Sequence, residues 1–182
     1  MKKQYTLLIF FFFTISLFAQ ENWNQQIDAK LPQVISSHRT FVSIPNLPSD
    51  IQKMYKNVAW VKEHYSKVGF ELKTLESSTL PVLFAERIIN PAFKTILFYF
   101  HLDGQAVNSK SWNQKDPFQP VLKEQNEAGQ WDEIAWSRAD EKMKDDWRIF
   151  GRAAADDKAP IVMFLSALEL LQSSKQTPKF NI

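Results

Sequence analysis

The sequence predicts an α/β sandwich with a mostly parallel or mixed central sheet, on three observations. Two segments with helical spacing of apolar residues precede any strand pattern. The run Thr95-Ile96-Leu97-Phe98-Tyr99-Phe100 has no polar alternation, which is the pattern of a strand covered on both faces and placed at the centre of a sheet. A short apolar stretch, Trp147 to Phe150, then leads through a polar turn into a helix with proline in its first turn, a strand–turn–helix unit.

Taken in order, residues 1–19 read as a secretory signal: Lys2 and Lys3 form a basic start, Leu7 to Phe18 an apolar run, and Ala19 a small residue before the cut. About 13 apolar residues fall short of the roughly 20 that a spanning helix needs. The mature chain, residues 20–182, is therefore expected to be periplasmic or secreted and free of the membrane after cleavage. It has no cysteine, so neither a lipid anchor on cysteine nor a disulfide framework exists and packing must stabilise the fold. Of 22 basic and 20 acidic residues, the signal removes two lysines and leaves a balance of 20 to 20. A neutral chain gives no support for nucleic-acid or membrane-surface binding.

Trp23, Ile27, Leu31, Val34, Ile35 and His38 follow helical spacing over 22–38, with Pro32 expected to kink or interrupt that helix. After the Pro45 to Pro48 turn, Ser49 with Gln52 forms a capping-box pattern. Ile51, Met54, Tyr55, Val58, Val61, Tyr65 and Val68 then share one face, and Gly69 suits the C-terminal cap. Phe70 to Thr74 and Val82 to Glu86 alternate as a hairpin of half-buried strands. Residues 105–147 are polar and tryptophan-rich, without clear periodicity, which predicts a long functional or mobile segment. Pro160 to Leu171 is apolar nearly all round, so this helix is expected to be deeply buried.

Two segments carry candidate chemistry. His101 and Asp103 follow the apolar run, at the C-terminal edge where open α/β sheets place their sites, and residues two apart in extended chain point the same way. A neutral imidazole is a good zinc ligand, and a neighbouring carboxylate can ligate or orient; the plainer reading is a hydrogen-bonded turn. Asp156 and Asp157 precede the proline-started helix, where carboxylates cap a helix N-terminus. Capping explains one acid better than an adjacent pair, which Lys158 or a divalent metal could hold together. A carboxylate bridging two metal ions is the sharper reading and suits two-metal hydrolysis.

Tyr99-Phe100-His101-Leu102-Asp103-Gly104-Gln105-Ala106-Val107, Ser111-Trp112 with Asp116-Pro117-Phe118, Trp147 to Arg152, and Asp156-Asp157-Lys158-Ala159-Pro160 stand in an order and spacing that resemble the N-terminal part of M20-family metallopeptidases, in the branch of carnosinase-like dipeptidases. Phe41-Val42-Ser43-Ile44-Pro45 and the helix after it fit as well, so the resemblance covers most of the mature chain. It implies a zinc-exopeptidase catalytic domain of which this chain is the N-terminal portion. It implies that His101 is a ligand of one zinc ion, that Asp156 bridges two, and that Asp103 is the acid that positions the catalytic machinery. Asp157 would follow the bridging residue across a strained peptide without being a ligand, and Trp112 with the Asp116-Pro117-Phe118 turn would pack in a loop over the site. The substrate implied is a peptide or dipeptide; an oligomer is possible.

The chain departs from the family pattern at Phe100, Ala153 and Ala159, where glycine is usual, and at Ala106, where proline is usual. Alanine at a position of positive φ would cost about 1 kcal/mol. The family also uses an adjacent Glu-Glu pair, as general base and second-metal ligand, a further acid and a distal histidine. After Asp157 the only carboxylate side chain is Glu169, and no histidine follows His101. Glu133, Asp140-Glu141 and Asp145-Asp146 read as solvated, and His64 beside Glu63 as a surface residue. Two readings follow: an exported N-terminal portion of a zinc-dependent dipeptidase or carboxypeptidase, itself weakly active or inactive, or a non-catalytic remnant that keeps the α/β framework as a binding module.

Overall fold

Apolar residues spaced at three and four along residues 23–66 produce two helices in the computed structural model, which describes residues 23–182 except Lys142. The signal assigned to residues 1–19 lies outside the described residues. The chain divides between Lys30 and Leu31. Trp23–Lys30 form the first turns of α1 (Trp23–Val42), and Leu31–Ile182 form one unit that holds everything described below. α1 is continuous through Pro32, so the expected kink or break does not occur. Proline's fixed φ is helical, and one lost hydrogen bond is outweighed by the packing of the helix's later residues.

His38, Phe41 and Val42 are buried at the end of α1. α2 (Ile51–Ser66) is capped by Asp50, whose side chain accepts from the Lys53 amide at 3.1 Å, and not by Ser49. The helix starts one residue later than the Ser49–Gln52 pattern implies, and aspartate caps equally well. Gly69 takes φ +86°, as the expected turn after the helix requires. Phe41 stacks on Trp60 with centroids 4.0 Å apart. Around that pair the core gathers Val61, Tyr65, Val68, Phe70, Ile161, Val162, Leu165 and Leu168. Truncating a buried phenylalanine such as Phe41 to alanine typically costs about 3–5 kcal/mol.

β1 (Glu71–Leu75) and β2 (Val82–Glu86) form the expected antiparallel hairpin, with Leu72 opposite Ala85 and Thr74 opposite Leu83. Leu72, Leu83 and Ala85 pack on the core. Beyond β2, Arg87 and Ile182 exchange backbone hydrogen bonds of 2.8 and 3.1 Å, while Asn181 donates to Lys94 O and accepts from the Ile96 amide, both at 2.8 Å. The buried Asn181 side chain accepts from the Ile89 and Asn90 amides and donates to the Asn90 and Phe93 carbonyls. Antiparallel ladders thus coexist with a parallel bridge between Thr95 and Asn181, a mixed arrangement.

The expected central strand differs from this pattern. Thr95 to Phe100 makes that single bridge, and no backbone hydrogen bond joins Leu97–Phe100 to another backbone group among the described residues. Leu97 and Tyr99 are 87% and 85% exposed. An unbroken apolar run encodes a strand that can be covered on both faces, and among the described residues its one bridge is that of Thr95 with Asn181.

The polar segment 105–147 is more ordered than its composition suggests. β3 (Val121–Gln125) lies between β4 (Trp131–Ile134) and β5 (Arg148–Phe150), all antiparallel. The β3–β4 turn uses Gly129 at φ +77°, and Asn126 accepts from the Ala128 and Gln130 amides. A short helix, α3 (Ser137–Glu141), follows. From it Arg138 donates to both Glu124 oxygens at 2.7 and 3.2 Å, and Trp147 Nε1 donates to Glu124 at 3.1 Å. The Arg138 hydrogen bonds hold the Glu124 carboxyl below its usual range. α4 (Lys158–Ser173) includes the expected proline-started helix, but its burial is one-sided: Ile161, Val162, Leu165 and Leu168 are buried while Met163 is 66% exposed.

Candidate metal centre

Two loops meet at His101. The first, Leu102–Gly104, is held by the buried Asn46, whose carbonyl accepts from the Gly104 amide and whose Nδ2 donates to Leu102 O, both at 2.8 Å. A Cβ at position 104 would meet Asn46 Oδ1 at 2.7 Å, so this turn requires glycine. The second loop, Gly151–Asp157, joins β5 to α4. Ala153 there has φ +62°, the conformation that makes alanine costly where the family has glycine. Phe100 and Ala159 are not in the left-handed region, and Ala159 is helical. The Asp156–Asp157 peptide is cis.

The loops bring His101 Nε2 to 2.8 Å from Asp156 Oδ1. His101 Nδ1 lies 2.9 Å from the Asp103 carbonyl and 3.5 Å from Asp103 Oδ1. A carbonyl only accepts, so Nδ1 carries a proton and Nε2 is the nitrogen available to a metal, an anchoring typical of metal-bound histidine. Burial lowers the His101 pKa, but the Asp156 hydrogen bond, the Asp103 carbonyl and the charges of Asp157 and Asp156 outweigh it, and the net shift is upward.

Asp157 does not use its side chain as a helix cap. Its Oδ2 accepts from the His101 backbone amide at 3.1 Å, so one acid of the pair faces the imidazole and the other fixes its backbone. The adjacent acids hinted at two roles, but not at this one. Lys158 does not hold the pair together either. Fully buried, its Nζ donates to Phe41 O at 2.8 Å and Ile44 O at 2.6 Å. His38, given no role by its place in the helical pattern, is buried with Nε2 2.8 Å from the Ala154 carbonyl.

Trp112 sits under Arg152, whose guanidinium carbon is 5.8 Å from the ring centroid, and Asp116 accepts from the Phe118 amide at 2.9 Å. Both contacts are packing and turn formation. Glu133, Asp140, Asp145 and Asp146 are exposed. His64 is half-buried instead of fully on the surface, stacked on Trp60 with centroids 3.8 Å apart.

An imidazole nitrogen and a carboxylate oxygen are a chemically suitable donor pair for zinc. At 2.8 Å the two atoms are in direct hydrogen-bond contact, about 0.5 Å closer than the roughly 3.3 Å edge of a tetrahedron with metal–ligand bonds of about 2.0–2.1 Å, so an ion would part them slightly. Among the described residues no group of three His, Cys, Asp or Glu side chains is gathered around one point. None of their helices is long and apolar enough to cross a membrane.

No family model matches the chain. It is 24% identical over 156 residues to the Cys-Gly metallodipeptidase of Schizosaccharomyces pombe, covering 79% of this chain and 28% of that protein. Over 174 residues it is 24% identical to the Cys-Gly metallodipeptidase of Saccharomyces cerevisiae, covering 87% and 32%. In fold it is similar to the solved dipeptidase Dug1p of Saccharomyces cerevisiae, with TM-score 0.65, 23% identity, and coverage of 86% of this chain and 32% of that one. Human carnosine dipeptidase 1 is similar with TM-score 0.66, 21% identity and coverage of 87% and 32%. The chain thus spans about a third of the length of these relatives.

Proposed function

From the relationship of this chain to the M20-family metallodipeptidases, we propose that it is the N-terminal portion of the catalytic domain of an exported, zinc-dependent exopeptidase acting on dipeptides or on the C-terminal residues of peptides. The convergence of His101 Nε2 and Asp156 Oδ1 at 2.8 Å is the observation that carries this reading. A divalent ion would be held by His101 Nε2, the ring being oriented by Nδ1–H donating to the Asp103 carbonyl, and by the Asp156 carboxylate that lies against Nε2. Asp103, with Oδ1 3.5 Å from the ring, balances charge beside the imidazole, and Asp157 holds the His101 backbone. A divalent ion held there would supply Lewis-acid polarisation of the peptide carbonyl.

Two converging donors support metal binding with weak or no turnover by these 182 residues. Calorimetric titration of the purified chain with zinc, beside His101→Ala and Asp156→Asn, tests the site; assays on Cys-Gly and on carnosine test the chemistry. Binding by the wild type alone supports the reading, and equal binding by all three defeats it. Substantial dipeptide hydrolysis would overturn the weak-turnover part. The absence of a third donor around one point among the described residues favours, as a second reading, a non-catalytic binding module; failure to bind zinc at all would select it.

A further inference from the structure

We propose that His38 is a positioning residue: by donating its Nε2–H to the Ala154 carbonyl, it holds the loop that carries Asp156 within reach of His101. This role rests on the proposed reading of Asp156 as a metal ligand. The Asp156 side chain is 84% exposed, and its one hydrogen bond between described residues is to His101, so its placement depends on its backbone. That backbone contains Ala153 at φ +62° and is secured internally by two long hydrogen bonds, Ala154 N to Gly151 O at 3.2 Å and Lys158 N to Ala153 O at 3.3 Å. A conformation disfavoured for alanine persists only if its surroundings hold it.

Outside the loop, the Arg152 amide donates to Pro117 O at 2.7 Å and Asp157 Oδ2 accepts from the His101 amide at 3.1 Å, and between those two ties the Ala154 carbonyl is held from α1, 116 residues away in sequence. His38 Nε2 is 2.8 Å from Ala154 O in a buried contact. The carbonyl can only accept, so Nε2 carries the hydrogen. Three and six residues beyond His38, the end of α1 and the turn after it are tied to the start of α4 by Lys158 Nζ, which donates to Phe41 O and Ile44 O. The Ala154–Lys158 segment is thus fastened to one stretch of chain at both ends. Burial lowers the His38 pKa against the raising effect of the Ala154 hydrogen bond, which favours the neutral ring.

The test compares His38→Leu, His38→Gln and His38→Asn with the wild type. Glutamine can place an N–H donor near the Nε2 position; asparagine is too short, and leucine has none. Hydrogen exchange of the amides from Arg152 to Lys158 is measured in the metal-free protein, with cobalt(II) affinity read from its visible absorption. Leucine and asparagine are expected to speed loop exchange about tenfold, leave exchange in α2 unchanged and weaken cobalt binding about tenfold, with glutamine restoring both. If His38→Leu does not fold, the glutamine and asparagine pair carries the same comparison. Unchanged loop exchange in the donor-lacking variants overturns the proposal. Faster exchange in a protein whose wild type binds no cobalt sustains the loop-positioning role and overturns only the metal reading.

Discussion

His101 and Asp156, 55 residues apart in sequence, stand with Nε2 2.8 Å from Oδ1. With its other nitrogen facing the Asp103 carbonyl, the ring donates on both sides, which is the imidazolium form. The raised pKa of His101 agrees with that assignment. A metal ion at this point must displace the Nε2 proton, so metal and proton compete for one position.

Zinc titrations in two buffers of different ionisation enthalpy should therefore register proton release that is larger on the acid side of the raised His101 pKa and falls as the pH rises through it. His101→Ala removes a donor nitrogen and Asp156→Asn removes the negative charge and one of two carboxylate oxygens, so each should weaken zinc by more than the roughly 10–100-fold seen on losing a partner that merely orients a ligand. Asp157→Asn keeps an oxygen acceptor for the His101 amide and should stay within about tenfold of the wild type. Equal losses at all three positions would contradict the division of labour between the two aspartates.

Ala153→Gly is expected to stabilise the protein. Left-handed backbone costs a residue with a Cβ about 1–2 kcal/mol, against roughly 0.5–1 kcal/mol of extra chain entropy lost by glycine, which leaves a net gain of up to about 1.5 kcal/mol. Ala159→Gly, at a helical position, should destabilise by up to about 1 kcal/mol. Urea midpoints of the two variants separate these signs, and a destabilised Ala153→Gly would show that φ +62° carries no strain here.

The parts of the fold that local spacing specifies were legible in the sequence. The face of α2, the β1–β2 alternation and the turn at Gly69 all depend on residues close together in the chain. The β3–β4 hairpin was hidden because charged residues stand on both faces of β3: Lys123 is buried over the Phe150 ring, and on the opposite face Glu124 is paired with Arg138. At the site, residue type singled out His101, Asp103 and Asp156. His38 and Lys158 could not be assigned that way, because their partners are single carbonyls 114 to 117 residues distant and leave no local pattern.

Stability should rise with pH through neutrality. Burial pulls Lys158 from 10.5 to about 7, so between those values the unfolded chain carries a proton that the folded chain has shed, and raising the pH favours folding. The ceiling on this contribution is about 5 kcal/mol, at about 1.4 kcal/mol per unit, reduced by the carbonyls that receive the Nζ protons. His38, lowered from 6.5 by burial, acts in the same sense at lower pH: its contribution is present above 6.5 and lost as pH falls through the depressed value. His101 is raised and acts oppositely, losing its contribution as pH rises through the folded value, but it is partly exposed. Urea midpoints from pH 5 to 10 should climb in the wild type, and Lys158→Met should flatten the climb above pH 7. A midpoint that falls between pH 7 and 10 in the wild type would contradict the assignment of a neutral buried amine.

Leu97 and Tyr99 define the last expectation. Their side chains are almost fully exposed, and the Leu97–Phe100 backbone makes no ladder with another described segment, so the chain presents an apolar edge without a charge to guard it. Edges of this kind pair with other chains. The purified chain should self-associate in a concentration-dependent way, visible by light scattering. Leu97→Lys and Tyr99→Lys should each shift it toward monomer while changing folding stability by no more than about 0.5 kcal/mol, as surface substitutions usually do. Lysine is the natural guard of an edge because its charge is buried by strand addition but solvated when the edge is free. Self-association that both lysines leave untouched would move the contact elsewhere, with the exposed Met163 face of α4 next to be tested.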